Sequence, residues 1–213
     1  METSKYIDHT LLKADATKEQ IHQLCMEAMT YHFASVCVNS YWVAYCASLV
    51  KDSDVCVCSV VGFPLGAMST KAKAFETSLA ILDGADEIDM VMNIGELKAG
   101  HDAAVLEDIK AVVKASDGHV VKVILETCLL TRDEIQRACK LCVEAKATFV
   151  KTSTGFSTRG ATLDDVILMR ESVDGACLIK AAGGVRNHAQ MQEMIKAGAS
   201  RIGTSSGISL LKE

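Results

Sequence analysis

The stretch Ala145-Lys146-Ala147-Thr148-Phe149-Val150-Lys151-Thr152-Ser153-Thr154-Gly155 carries one structural period of the chain. A helical pattern ends on small residues, a short apolar run follows, and a hydroxyl- and glycine-rich turn closes it. The same order returns at Asp83-Gly84-Ala85 before Glu87-Ile88-Asp89-Met90-Val91, and at Ala197-Gly198-Ala199 before Arg201-Ile202-Gly203. Glycine or a small residue after a helix is the expected C-cap. Strict β–α alternation predicts a parallel sheet.

Followed along the chain, this period predicts strands beginning near Tyr6, Ser35, Val55, Asp86, Val120, Thr148, Cys177 and Ser200. Helical patterns fill the gaps, among them Lys18 to Tyr31, Ala103 to Ala115, Arg132 to Ala145 and His188 to Ala197. Thr131-Arg132-Asp133-Glu134 has the form of a capping box, and Thr162 and Asn187 are N-cap candidates. Eight such units in 213 residues predict an α/β protein, a single-domain TIM (β/α)8 barrel over 1–213. The rival is an open doubly wound sheet. A GxGxxG after the first strand would favour it, and none is there.

Composition narrows the function classes. The chain is 49% hydrophobic and 23% charged, enough for one buried core, with a formal net charge of −5. Basic residues are dispersed and aromatics scarce, which argues against a nucleic-acid surface. No apolar run approaches the roughly 18 residues of a membrane span. Met1-Glu2-Thr3-Ser4-Lys5 lacks the plan of a signal peptide, so a cytoplasmic location is expected. The nine cysteines mostly lie among apolar residues and read as core thiols in a reducing compartment. Cys139-Lys140-Leu141-Cys142 has the spacing of a metal or redox pair but lies in a helical pattern, with no second pair or nearby histidine. Neither a metal nor a cofactor is expected.

Side chains alternate along a strand, and the apolar parity should face the helices. That turns Asp8, Cys37, Glu87, Asp89, Lys122, Glu126, Lys151, Leu178, Lys180 and Arg201 towards the barrel axis. Buried charges must be paired, and Glu87, Lys122 and Arg201 read as structural ion pairs. Lys151 and Lys180 lie on neighbouring strands near their C-terminal ends, where barrel active sites sit. Desolvation, together with repulsion across the about 4.8 Å between strands, would ease a proton off one of them. A neutral lysine amine forms Schiff bases with carbonyls. Asp89 can pair with one lysine or relay protons. The alternative is a purely structural salt-bridge cluster.

Three consecutive loops at that end are small and glycine-rich: Ser153-Thr154-Gly155, Gly183-Gly184-Val185-Arg186 and Gly203-Thr204-Ser205-Ser206-Gly207. Such loops let backbone N–H groups approach an anion. Barrel phosphate sites use this position, often with a short helix such as Ile208-Ser209-Leu210-Leu211. They could equally be tight βα turns.

These segments, with Ile7-Asp8-His9-Thr10-Leu11-Leu12, Asp86-Glu87-Ile88-Asp89-Met90-Val91 and Val123-Ile124-Leu125-Glu126-Thr127, resemble deoxyribose-phosphate aldolase nearly end to end. The resemblance implies a class I aldolase that reversibly cleaves 2-deoxy-D-ribose 5-phosphate to D-glyceraldehyde 3-phosphate and acetaldehyde. It makes Lys151 the Schiff-base lysine, Lys180 the lysine that lowers its pKa, and Asp89 a proton-relay acid acting with water. It places Asp8, Cys37 and Thr152 at the substrate site and phosphate on Gly155, Gly183, Gly184, Ser205 and Ser206. A homodimer is implied on the same ground. Some family members carry lysine where Phe156 stands, serine where Ala182 stands, and a terminal tyrosine where this chain has Leu211-Lys212-Glu213. Two other readings stay open: another Schiff-base aldolase of phosphorylated sugars, or a non-catalytic phosphometabolite-binding barrel.

Overall fold

In the computed structural model, which describes residues 2–212, eight parallel strands close into a barrel in the order β1 to β8. The strands are β1 Ile7–Leu11, β2 Ser35–Val38, β3 Cys56–Val61, β4 Glu87–Val91, β5 Val120–Ile124, β6 Phe149–Lys151, β7 Leu178–Ala182 and β8 Arg201–Thr204. Pairing of Ile7 with Ile202 and of Asp8 with Gly203 closes the ring and excludes the open sheet. Every strand starts within one residue of its predicted position.

The helices are α1 Lys18–Thr30, α2 Val43–Val50, α3 Thr70–Leu82, α4 Ile94–Lys98, α5 Asp102–Ala115, α6 Arg132–Glu144, α7 Leu163–Val173, α8 His188–Ala197 and α9 Gly207–Leu210. Their starts follow from capping. Thr131 accepts from the Glu134 N–H at 3.3 Å, while its own N–H donates to Glu134 Oε2 at 2.8 Å. Thr162 and Asn187 cap α7 and α8. Thr17 and Gln20 form a second capping box that the sequence reading missed. At the helix ends, Gly84 and Gly198 take φ of 102° and 120°, a backbone region that favours glycine. Lys146 holds the same place before β6 at φ 62° without being glycine.

The parity expected of the strands holds on the outer face. Ile88, Met90, Val121, Val123, Val150 and Ile179 are buried in one apolar cluster shared with the helices. Cys139 and Cys142 belong to that cluster, and burial pushes the Cys139 thiol up to about 12, as expected of core thiols. Leu178 has the parity of Lys180 but opens β7 at the barrel's lower end and is 47% exposed. One inward expectation needs correction. Glu126 lies beyond the end of β5 in a left-handed conformation, φ 56°, and serves a loop rather than the barrel axis. No helix among the described residues is long and apolar enough to cross a membrane.

A buried ion pair outside the barrel braces the strand that carries Asp89. Lys73 of α3 donates to Asp108 of α5 at 2.6 Å and to the carbonyl of Val91, the last residue of β4, at 2.9 Å. Thr70 Oγ1 donates to the other Asp108 oxygen at 3.0 Å. Lys73 is fully buried, and burial pushes its ammonium down despite the carboxylate. Asp108→Ala strands that charge and is expected to cost about 3–5 kcal/mol in urea unfolding. A loss below about 1 kcal/mol, the worth of a surface pair, would contradict this role.

Candidate active site

Seven charged side chains from six strands meet inside the barrel. In the lower layer, Arg201 donates to both Glu87 oxygens at 2.7 Å and to Asp8 Oδ1 at 2.9 Å. Lys122 lies 2.6 Å from Glu87 and 2.8 Å from Asp89 Oδ1. Above it, Lys151 and Lys180 each donate to Asp89 Oδ2 at 2.7 Å, and Lys180 lies 2.5 Å from Asp8 Oδ2. The ion pairs expected for Glu87, Lys122 and Arg201 are present.

Asp89 is the hub. Its carboxylate is fully buried and accepts from three ammonium groups and from the Cys58 thiol, the last at 3.2 Å. Burial alone would raise its pKa. Lys122, Lys151 and Lys180 outweigh burial and hold Asp89 well below the usual carboxylate range. Asp8 is held down to about 2, against the effect of burial, by Lys180 and Arg201. Burial pushes Lys180 down, but Asp8 and Asp89 overcome it and raise its pKa. Lys180 therefore stays charged.

Lys151 and Lys180 do sit directly opposite each other in the β6–β7 register. The expected repulsion between them is moderated by Asp89 Oδ2, which takes a hydrogen bond from each. The two lysines are not equivalent, because Lys180 has Asp8 in addition and Lys151 has only its share of Asp89. Counting the cluster, Lys122, Lys151, Lys180 and Arg201 face Asp8, Glu87 and Asp89, one cation more than the anions. The cluster is neutral when Lys151 is an amine.

A cavity of about 540 Å³ opens at the C-terminal end of the strands, and Lys151 is the one member of the cluster that lines it. Gly155, Gly183, Gly184, Ser205 and Ser206 line it too. Lys180, Asp89, Asp8, Cys37 and Thr152 lie behind its wall. Thr152 is fully buried and ties β6 to β7, accepting from the Ala182 N–H at 3.1 Å and donating to the Ala182 carbonyl at 3.3 Å. Cys37 packs against Cys58, Val60 and Leu12.

The loops around the cavity are locked from below. Glu126 accepts from the Thr154 N–H at 3.3 Å and from the Thr154 hydroxyl, which sets the Ser153-Thr154-Gly155 turn. Gly160 packs backbone to backbone on Gly183, where an added Cβ would meet the Gly183 carbonyl oxygen at 2.2 Å. Ala161 N–H donates to the Ala182 and Gly183 carbonyls at 3.0 Å. The loops after β6 and β7 are thus held as one unit.

The sequence reading missed Thr10 and Lys13 as cavity residues, and it quoted Arg186 in a cup loop and Phe156 beside one without assigning either a contact. Lys13 comes from the loop after β1, which barrel closure sets beside the loop after β8; that adjacency was the available signal. Neither Lys13 nor Arg186 joins an ion pair among the described residues, so both charges are free for an anion. Phe156 stacks edge-on against Phe63 with ring centres 5.3 Å apart. The cluster Cys37, Cys58 and Asp89 has three possible ligand atoms within 4.8 Å of one another. It suits a metal cation poorly, because the same carboxylate already holds three ammonium groups.

A barrel with this plug of lysines and acids beneath a glycine-rich cup has close relatives. Residues 3–213 match the DeoC/LacD family aldolase. The chain is 59% identical over 212 residues to deoxyribose-phosphate aldolase 1 of Mesoplasma florum, covering 100% of this chain and 96% of that one. It is 60% identical over 211 residues to deoxyribose-phosphate aldolase of Streptococcus uberis, with 99% and 96% covered. The solved tetrameric deoxyribose phosphate aldolase of Aeropyrum pernix superposes with a TM-score of 0.91 at 32% identity, covering 98% of this chain and 88% of that one. With the family match running nearly end to end and relatives close to 60% identical over almost the whole chain, this chain belongs to the DeoC/LacD family of aldolases.

Proposed function

We propose that the protein is a class I aldolase that reversibly cleaves 2-deoxy-D-ribose 5-phosphate to D-glyceraldehyde 3-phosphate and acetaldehyde. The observation that carries this reading is that Lys151 alone, of the buried charge cluster, lines the cavity. As a neutral amine it attacks C1 of the open-chain sugar, and loss of water gives an imine. The protonated imine draws electrons as the C2–C3 bond breaks and the C3 hydroxyl gives up its proton. The resulting enamine is protonated at C2, and hydrolysis releases acetaldehyde and restores Lys151. Lys180 stays charged beside it and supplies protons. Asp89 touches both lysines, so with water it passes the C3 hydroxyl proton between them.

The phosphate end goes to the cup. Gly155, Gly183, Gly184, Ser205 and Ser206 line it, and Lys13 and Arg186 supply two positive charges for a dianion. Asp8, Cys37 and Thr152 act on the substrate through the groups they hold: Asp8 fixes Lys180, Thr152 fixes the β6–β7 seam, and Cys37 packs beside the Asp89 hub. A cytoplasmic location is supported by nine cysteines that are all unpaired. A homodimer is the proposed assembly; apolar Phe75, Leu79 and Leu82 lie exposed along α3, and a purely monomeric sedimentation profile would exclude it.

Borohydride reduction in the presence of acetaldehyde is expected to leave an ethyl group on Lys151, found by peptide mass, and Lys151→Ala is expected to abolish both adduct and cleavage. An adduct on another lysine would overturn the assignment. Lys180→Leu removes the ammonium that shares Asp89 with Lys151, so cleavage should slow by about a hundredfold or more; an unchanged rate contradicts its role as proton donor. Lys13→Ala should raise KM for the phosphorylated sugar about tenfold, the worth of one charge-assisted hydrogen bond. Cleavage of unphosphorylated 2-deoxyribose should be unaffected. Equal losses on both sugars would place Lys13 outside the phosphate site.

A further inference from the structure

Cys37 and Cys58 are partnered directly across β2 and β3. Both are fully buried, and their sulfurs lie within 4.8 Å of each other and of an Asp89 oxygen. Paired Cα atoms on neighbouring strands are about 4.8 Å apart, inside the span a disulfide bridges. The pair is coupled to the hub, because Cys58 donates its thiol proton to Asp89 Oδ1 at 3.2 Å and takes a hydrogen bond from Lys122 at 3.4 Å. The nearby Cys58 pushes the Cys37 thiol down, against burial, while burial pushes Cys58 up. Cys37 is therefore the sulfur that ionises first. Leu12 belongs to the same small cluster as both thiols and also lines the cavity, which places the pair beside the cavity wall.

We propose that Cys37 and Cys58 are a reversible oxidation site, and that their disulfide switches off the chemistry of Lys151 by taking the thiol hydrogen bond away from Asp89. The second half rests on the aldolase reading; the first does not. With hydrogen peroxide as oxidant, the Cys37 thiolate attacks one peroxide oxygen, giving a sulfenic acid and, with one proton, water. Cys58 sulfur then attacks the sulfenic sulfur, the S–S bond forms, and the hydroxyl leaves as a second water. Two thiols lose two electrons and two protons, and the peroxide is reduced to two waters. A dithiol reductant reverses the bond by exchange. Once closed, the bridge leaves Cys58 with no S–H, and Asp89 loses one of its four donors. Asp89 orients both lysines, so the disturbance reaches Lys151 directly.

The test uses the full chain. Reduced protein is treated with a small excess of hydrogen peroxide, remaining thiols are alkylated, and peptide mass is read alongside cleavage of 2-deoxyribose 5-phosphate. A peptide joining Cys37 to Cys58, lighter by two hydrogens, is expected to appear as the rate falls at least about tenfold, the worth of one hydrogen bond to a charged acceptor. Dithiothreitol should remove the bridge and restore the rate. Cys58→Ala, compared with its own reduced rate, should keep that rate through the same treatment. Absence of the joined peptide overturns the oxidation site. A joined peptide with the rate unchanged, or Cys58→Ala losing its rate equally, overturns the switch. If the reduced protein cleaves nothing, the aldolase reading fails, and the peptide mass still decides the thiol chemistry.

Discussion

The carboxylate of Asp89, shared among three lysines in the buried interior of the barrel, constrains the rest of the site. Charge in a barrel interior is tolerable only when it is paired and hydrogen-bonded. Here the pairing is nearly complete but not quite. Asp8 and Glu87 settle Arg201, Lys122 and most of Lys180, leaving Asp89 to serve the remainder. The odd cation falls to Lys151, which lines the cavity.

The two ends of the proposed substrate are met by differently built parts of the molecule. The carbonyl end meets side chains projecting from strands, with little freedom to move. The phosphate end meets loops, and loops need fastening before they can bind with geometric precision. Glu126 under Thr154, Gly160 against Gly183, and the bonds from Ala161 supply that fastening. The outer brace of Lys73, Asp108 and the Val91 carbonyl does the same for β4, the strand that positions Asp89.

Much of this was legible in the sequence, for a physical reason. Alternation along a strand fixes direction, so the inward set of Asp8, Asp89, Lys122, Lys151, Lys180 and Arg201 could be read from parity alone. The repeated helix, small-residue cap and apolar run located each strand to within a residue. Direction is not distance, however. Only side-chain torsions decide that Asp89 reaches across to sit between Lys151 and Lys180, and no local pattern encodes that. Glu126 escaped because parity ends where the strand ends, and its left-handed backbone turns it towards Thr154. Leu178 escaped because the barrel has a lower mouth, where an inward residue meets solvent. Thr10 at the end of β1 and Lys13 in the loop after it are distant in sequence from the other cavity loops and adjacent only after closure. The Lys73–Asp108 pair joins two helices whose contact depends on how they pack on the barrel.

The central claim is that Lys151, the one member of the cluster that lines the cavity, is the residue that bonds to the substrate carbonyl. Carbon-13 NMR of the protein mixed with acetaldehyde labelled at C1, compared with the Lys151→Arg variant, reads that bond directly. A carbinolamine or imine signal is expected in the unaltered protein and none in Lys151→Arg. The same signal in Lys151→Arg would contradict the account.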